Sequence, residues 1–361
     1  MYHKRLDKID GNALYVRDLI DSLSKEYNVV LPSEYFFRSN LRVSGNWLVR
    51  TLEVNLFSIL WFIKNIRRLK DEVGFIVMED RYSLISAFFV RKMKAKLLAR
   101  ISDWGIEYTE SLPFKSKIMG SFFLLFGRIY EQFIYRSANA IIVPSDYVGS
   151  RIEAVVRLPT LVFPVTFNRD LVARSKKGSS DGPKLSREVN CIFVGNYEYK
   201  PNELAARFIT EQLAGEVYLR DENIKFIIAG PGGTEKLGRT KRKNVEIHGL
   251  VGDLHTLYAR CDIGLNPSET VGGTSVKIIE YLSQGLFVLS TPQGSVGIIK
   301  SSRVVVTERK NFRDSLLKLA ERIRSEEVKE DSDESKRISD YYSRSKNTEK
   351  LLDFLRSLEA R

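Results

Sequence analysis

The second half of the chain alternates short apolar runs with stretches of helical spacing. Val189–Val194 (VNCIFV), Ile224–Ala229 (IKFIIA), Val245–His248, Ile263–Asn266, Phe287–Ser290 and Val304–Thr307 are apolar runs, most of them closed by Gly or Pro. Runs of this kind read as strands covered on both faces of a parallel sheet. Between them, Glu203–Leu213, Asp253–Ala259 and Ser275–Ser283 repeat apolar residues every three or four positions, as in Leu204, Phe208, Ile209 and Leu213. That spacing predicts helices. Alternating strands and helices define a doubly wound α/β domain, whose ligand belongs beyond the carboxyl ends of the strands.

The first half repeats the scheme less regularly. Tyr27–Leu31, Phe75–Glu79, Lys96–Ser102 and Ala140–Pro144 read as strands, Ala13–Leu23 as an amphipathic helix, and Trp47–Leu69 and Ile118–Arg136 as long helical stretches. A doubly wound domain opens on a strand, so the first one is either very short, at Met1–His3, or missing. The Gly, Ser, Pro and Lys content of Asn168–Arg187 suits a surface linker. The chain therefore divides into a first domain over 1–168, a linker over 169–187, a second domain over 188–338 and a C-terminal segment over 339–361. The apolar face of Asn347–Leu358 (Leu351, Leu352, Phe354, Leu355, Leu358) is expected to pack back on the first domain.

Composition narrows the class. The chain has 361 residues, 43% of them hydrophobic, which supplies core for two domains. Two cysteines make no disulfide framework, and the three histidines form no cluster with metal-ligand spacing. The start MYHKRLDKID reads as too charged for a secretory signal, and GSFFLLFG at Gly120–Gly127 is far too short to span a bilayer. A cytosolic protein is expected. Its net charge of +12 is spread over both halves, with the densest basic patch at Lys64–Arg100. No nucleic-acid-binding module accompanies that charge. A phosphorylated substrate, an anionic membrane surface and a merely solvated basic surface all fit it. With Phe122–Phe126 and the cations around it, the membrane reading gives peripheral attachment at the inner face of the cell membrane.

Candidate chemistry concentrates in Leu265–Leu282, LNPSETVGGTSVKIIEYL. A strand ends at Asn266, and a loop with Gly272 and Gly273 leads through Thr274 and Ser275 into a helix. Free amides at a helix start, approached through glycines, make a phosphate cradle. Lys277 stands in the first turn, where a cation opposes the helix dipole unless an anion is bound. Glu280 lies one turn on and can accept hydrogen bonds from sugar hydroxyls. The plain alternative is a Lys277–Glu280 surface ion pair.

These residues carry a resemblance. FVGNYEYKPN at Phe193–Asn202, FIIAGPGG at Phe226–Gly233, VEIHGLVGDLHTLYARCDIGLNPS at Val245–Ser268 and GGTSVKIIEYLSQGLFVLSTPQGSVGI at Gly272–Ile298 occur in the order found in GT-B glycosyltransferases of family 4. GNALYVRDLIDSL at Gly11–Leu23 and ANAIIVPSDYVGSRI at Ala138–Ile152 resemble that family's first domain. The resemblance implies two Rossmann-like doubly wound domains facing across a cleft. It also implies retaining transfer of a sugar, hexosyl in type, from a UDP- or GDP-linked donor to a glycan or lipid-linked acceptor in polysaccharide or glycoconjugate synthesis, with no metal and no further cofactor.

Carried over by position, Glu280 matches the second acid of the family's Glu-x7-Glu motif, which holds the donor ribose. The first acid falls on Gly272, and Glu269 is its nearest stand-in. The usual phosphate-binding Arg after Gly195 falls on Asn196, and the later Lys falls near Pro201, beside Lys200. His248, Gly249 and Leu250 match the segment whose backbone reads the base. Donor binding is thus expected from Gly195, Asn196, Lys200, His248–Leu250, Glu269, Gly272–Ser275, Lys277 and Glu280. Lys277 and Glu280 are also expected in catalysis together with Asp103. Gly11, Asn12, Asp103 and Trp104 are expected at the acceptor. A sugar-nucleotide epimerase and a non-catalytic binding protein of the same fold are the rival readings.

Overall fold

The computed structural model describes residues 11–29, 73–79, 95–101, 135–167, 187–238, 240–270, 273–325 and 332–360, with Ser121, Leu125 and Gln132. The expected strand at Met1–His3, the helical stretch Trp47–Leu69, the linker 169–186, Phe122–Leu124 and Phe126, and nearly all of the basic patch lie outside them. The chain forms two compact units: residues 1–165 with 347–361, and residues 166–346.

The first unit is built on a parallel sheet in chain order: β1 (Phe75–Glu79), β2 (Lys96–Arg100), β3 (Ala140–Val143) and β4 (Thr160–Val162). Every residue of β3 is buried, as its unbroken apolar sequence AIIV requires of a strand covered on both faces. Helix α1 (Gly11–Leu23) and helix α2 (Asp146–Glu153) belong to this unit; Ser145 Oγ accepts the Val148 N–H and caps α2. Tyr27–Val29, the described part of the expected strand Tyr27–Leu31, is irregular instead. The Tyr27 N–H still bonds the Leu23 carbonyl at 2.9 Å, so the backbone there continues the helix end. The C-terminal helix, Arg344–Glu359, buries Leu351, Leu352, Leu355 and Leu358. Ser22 and Thr348 share a buried hydroxyl–hydroxyl bond of 2.8 Å, and Arg356 pairs with Glu26.

Among the described residues the second unit holds six parallel strands: β5 (Val189–Val194), β6 (Ile224–Ala229), β7 (Val245–Ile247), β8 (Ile263–Asn266), β9 (Phe287–Ser290) and β10 (Val304–Val306). Their order is β10-β9-β8-β5-β6-β7. Chain order reverses between β5 and β8, which pair through Cys191 with Ile263 and Ile192 with Gly264. This is the doubly wound order with its switch point at β5/β8, the place where such sheets bind ligands beyond the strand ends. Phe193, Phe226, Ile228, Leu265 and Leu289 fill the core under Phe312, Leu316 and Leu319 of a helix, Phe312–Arg324, that the sequence reading lacks.

The helix after β5 is α3 (Lys200–Arg207), but its expected continuation to Leu213 opens into a π-helical turn over Phe208–Leu213. Arg242 takes up the carbonyls of that turn, donating to Thr210 at 2.9 Å and Glu211 at 2.8 Å. Helix α4 (Leu254–Arg260) and helix α5 (Val276–Ser283) flank β8 in sequence. Among the described residues no helix is long and apolar enough to cross a membrane.

Candidate functional site

The site begins with the two loops at the switch point. After β5 the chain turns at Gly195 and Asn196, whose Oδ1 accepts the Glu198 N–H at 3.0 Å. Pro201 then starts α3, where its missing N–H costs nothing. Asn202, one residue on, is the joint of the site. Its Nδ2 donates to the Asn196 carbonyl at 3.0 Å, and its Oδ1 accepts from Lys277 Nζ at 2.8 Å. The β5 loop and helix α5 are thereby tied together by one amide.

Helix α5 starts at Val276 after Gly273, whose φ of +71° is in the left-handed region that glycine enters without strain. Gly272 lies outside the described residues. Ser275 occupies the cap position, yet its side chain makes no cap hydrogen bond. Its Oγ instead accepts from Asn266 Nδ2 at 3.2 Å, and that nitrogen also reaches the Gly294 carbonyl at 2.8 Å. No acid stands in the first turn of α5. Two polar atoms beside this helix start, Asn266 Oδ1 and Thr274 Oγ1, are buried without a hydrogen-bond partner. Uncapped amides, a cation and unspent polar atoms make a place for an anion that also carries hydroxyls.

Lys277 and Glu280 do not pair with each other. The ammonium of Lys277 lies 4.3 Å from the centre of the Phe193 ring and bonds Asn202. Burial pushes its pKa down to about 7, an effect that the charge of Glu280 only partly offsets. Glu280 Oε2 accepts from Tyr258 Oη at 2.9 Å. Burial raises the Glu280 pKa, while the Tyr258 bond, Lys277 and His255 pull the other way. Beneath them, the Tyr281 ring packs on Gly264, and its hydroxyl accepts the Val194 N–H at 2.9 Å. A Cβ on Gly264 would lie 2.1 Å from that ring, so β8 needs glycine there.

The remaining expected residues are scattered. Lys200 turns away: its amine pairs with Glu203 at 3.0 Å, and Glu203 also holds Arg207. His248, Gly249 and Leu250 follow the edge strand β7, where the Gly249 carbonyl accepts the Gly230 N–H at 3.0 Å and Leu250 is exposed. Gly230 itself abuts Gly195, since a Cβ on it would lie 2.0 Å from the Gly195 carbonyl. The loops after β5, β6 and β7 therefore run side by side. Glu269 is paired with Arg309, whose guanidinium stacks on Phe208 at 4.1 Å. Gly11 and Asn12 begin α1. Asp103 and Trp104 lie outside the described residues. Among those described, no group of three or more His, Cys, Asp or Glu could hold a metal ion.

Asn202, Tyr258 and Arg309 escape the sequence reading. Only Tyr258 leaves a signal, as a hydroxyl on the buried face of a short helix, where it must find a partner.

Residues 188–322, the body of the second unit, match the family model of Glycosyl transferases group 1. The whole chain is similar in fold to solved glycosyltransferase structures. The Anabaena protein HepE in complex with UDP and glucose is 14% identical and has a TM-score of 0.63, with 97% of each chain covered. A glycosyltransferase from Rickettsia africae is also 14% identical, with a TM-score of 0.59 over 98% of this chain and 96% of that one. The UDP-forming trehalose-phosphate synthase of Burkholderia xenovorans is 14% identical, with a TM-score of 0.56 over 95% and 86%. No curated protein matches the chain. The fold is the GT-B fold, two parallel-sheet α/β domains.

Proposed function

We propose that the protein is a glycosyltransferase whose second domain binds a nucleotide-sugar at the β5/β8 switch point. The observation that carries this is the separation of Lys277 from Glu280. Each is fixed by a neutral partner, Asn202 or Tyr258, so both charges remain available to a ligand at the start of α5. The match to Glycosyl transferases group 1 over residues 188–322 supports the reaction class. So does the presence of UDP and glucose in the structure of the similarly folded HepE.

On this reading the diphosphate sits on the α5 amides beside Lys277, and Glu280 accepts hydrogen bonds from the donor ribose. As the sugar–phosphate bond breaks, charge develops on the leaving diphosphate. Preorganised amides and the Lys277 ammonium stabilise it there without reorganising. Transfer occurs with retention at the anomeric carbon, to a glycan or lipid-linked acceptor. The expected basic patch suits an acceptor presented at an anionic membrane surface in polysaccharide or glycoconjugate synthesis. Glu269 serves the site through its loop, tied by Arg309, rather than as a free second acid.

The test is donor hydrolysis and calorimetric binding with UDP- and GDP-linked hexoses. Release of a nucleoside diphosphate that Lys277→Ala suppresses supports the reading. Absence of binding for every donor, with the protein folded by circular dichroism, rejects it.

A further inference from the structure

Glu280 is held by a residue to which neither the motifs nor the family match gives a role. Tyr258 projects from α4, is only 3% exposed, and donates its hydroxyl to Glu280 Oε2 at 2.9 Å. Its ring has no freedom to turn away. It meets the Tyr281 ring edge-on at 5.9 Å and 80°, and the His255 ring at 6.5 Å and 77°. Tyr281 is in turn locked by its bond to the Val194 N–H at the end of β5. The carboxylate of Glu280 is therefore referenced to the sheet through two tyrosines. One of its oxygens, Oε2, is taken; Oε1 is left for a ligand.

We propose that Tyr258 is the positioning residue of Glu280, fixing one carboxylate oxygen so that the other meets the vicinal hydroxyls of a nucleotide ribose. The inference rests on the donor-binding reading above. A carboxylate free to rotate must be ordered when the diol arrives, whereas one held by a phenol is ordered beforehand, and preorganisation lowers the cost of binding. The phenol also favours the ionised carboxylate, which is the better acceptor. Burial and the charge of Glu280 push the Tyr258 pKa far up, so the phenol remains a donor throughout the working pH range. The charged and titratable groups that interact with Glu280 are Tyr258 and His255 from α4, and Lys277 and Tyr281 from α5. Of these, Tyr258 is the one in hydrogen-bond contact.

The experiment compares wild type with Tyr258→Phe, which removes one oxygen and keeps the ring. The probes are UDP and 2′,3′-dideoxyuridine diphosphate, titrated calorimetrically between pH 5 and pH 8. The expected result is a loss of UDP affinity of up to roughly tenfold, the cost of ordering one freed side chain on binding. The dideoxy ligand should bind both proteins alike. The acid limb of UDP affinity should move to higher pH in the variant, because Glu280 loses a bond that lowers its pKa; titration of the diphosphate itself is common to both proteins and cancels. Equal losses for the two ligands, or an unmoved acid limb, overturn the proposal and assign Tyr258 to packing alone. If wild type binds UDP with no preference over the dideoxy compound, the ribose role of Glu280 fails first, and Tyr258→Phe is then expected to change neither affinity.

Discussion

Lys277 gives its hydrogen bond to Asn202, 75 residues away at 2.8 Å, and not to Glu280 one turn along its own helix. A surface i,i+3 ion pair would place both charges in water and leave the site without function. Here the ammonium is drawn to Asn202 of the segment after β5 and over the Phe193 ring. A cation at the start of a helix is unfavourable against the helix dipole, and its burial adds to that cost, a strain that a bound anion would relieve.

Stability of the empty protein should report that strain. The folded pKa of Lys277, about 7, lies below its ordinary 10.5. The unfolded chain therefore binds the proton more tightly, and stability rises with pH between about 7 and about 10.5. Below about pH 7 the ammonium is charged in both states and the penalty is felt in full. Lys277→Met should then melt higher than wild type at pH 6. The advantage should shrink through pH 7–10.5 and reverse above it, where only the lost bond to Asn202 remains. Thermal melts without ligand over pH 6–11 check this. A variant less stable at pH 6 contradicts it.

Binding should carry a proton with it. A diphosphate beside Lys277 raises the lysine pKa, since an opposite charge favours the ammonium. At pH 8 much of the empty protein holds a neutral Lys277, so binding UDP takes up protons. Affinity should fall as pH rises above about 7, where the phosphates are already ionised. Calorimetry at pH 8 in two buffers of different ionisation enthalpy measures the uptake. Lys277→Met should abolish it.

Much of the second unit is legible in its sequence. Runs such as VNCIFV and IKFIIA, apolar at all but one position each and followed by glycine, read as strands covered on both faces. The glycine turn before Val276 is likewise legible as the approach to a helix start without a side-chain cap. What escapes is contact between distant positions. Asn202 is an ordinary polar residue in a first helical turn, and nothing local shows that it faces Lys277. Arg309 becomes visible only once β10 brings it to the Glu269 loop. Lys200 shows the opposite case: a lysine shortly after a loop glycine invites a ligand role, but Glu203 on the same helix face, which also holds Arg207, supplies it with a local partner. The π turn at Phe208–Leu213 depends on Arg242, beyond any helical pattern.

Gly264 tests the sheet side of the same construction. Tyr281 cannot yield to an added methyl, because its ring packs on Tyr258 and its hydroxyl bonds the Val194 N–H. Gly264→Ala should therefore cost about 1–3 kcal/mol of stability, the usual range for overpacking a core. It should also weaken nucleotide binding, since shifting Tyr281 disturbs the support of Glu280. Chemical denaturation and UDP titration of the variant check both effects. Unchanged stability would mean that the ring has room to move.

Glu280→Gln separates charge from shape. Gln keeps an acceptor for Tyr258 but loses the negative charge that strengthens bonds from ribose hydroxyls. A hydrogen bond to a charged buried group contributes on the order of 1.5–3 kcal/mol, so nucleotide affinity or turnover should drop roughly ten- to a hundredfold. The empty protein responds in the other sense. The folded Glu280 pKa is raised above 4.5, so its contribution to stability is greatest below that pH and is lost as pH climbs through the raised value. At pH 7–8 the buried charge is a cost, and Gln removes it; the variant should melt no lower than wild type. Had the carboxylate been one half of a surface ion pair with Lys277, the same substitution would lower stability slightly and leave UDP affinity unchanged. Paired melts and titrations at pH 7.5 distinguish a group kept charged for a ligand from one kept charged for the fold.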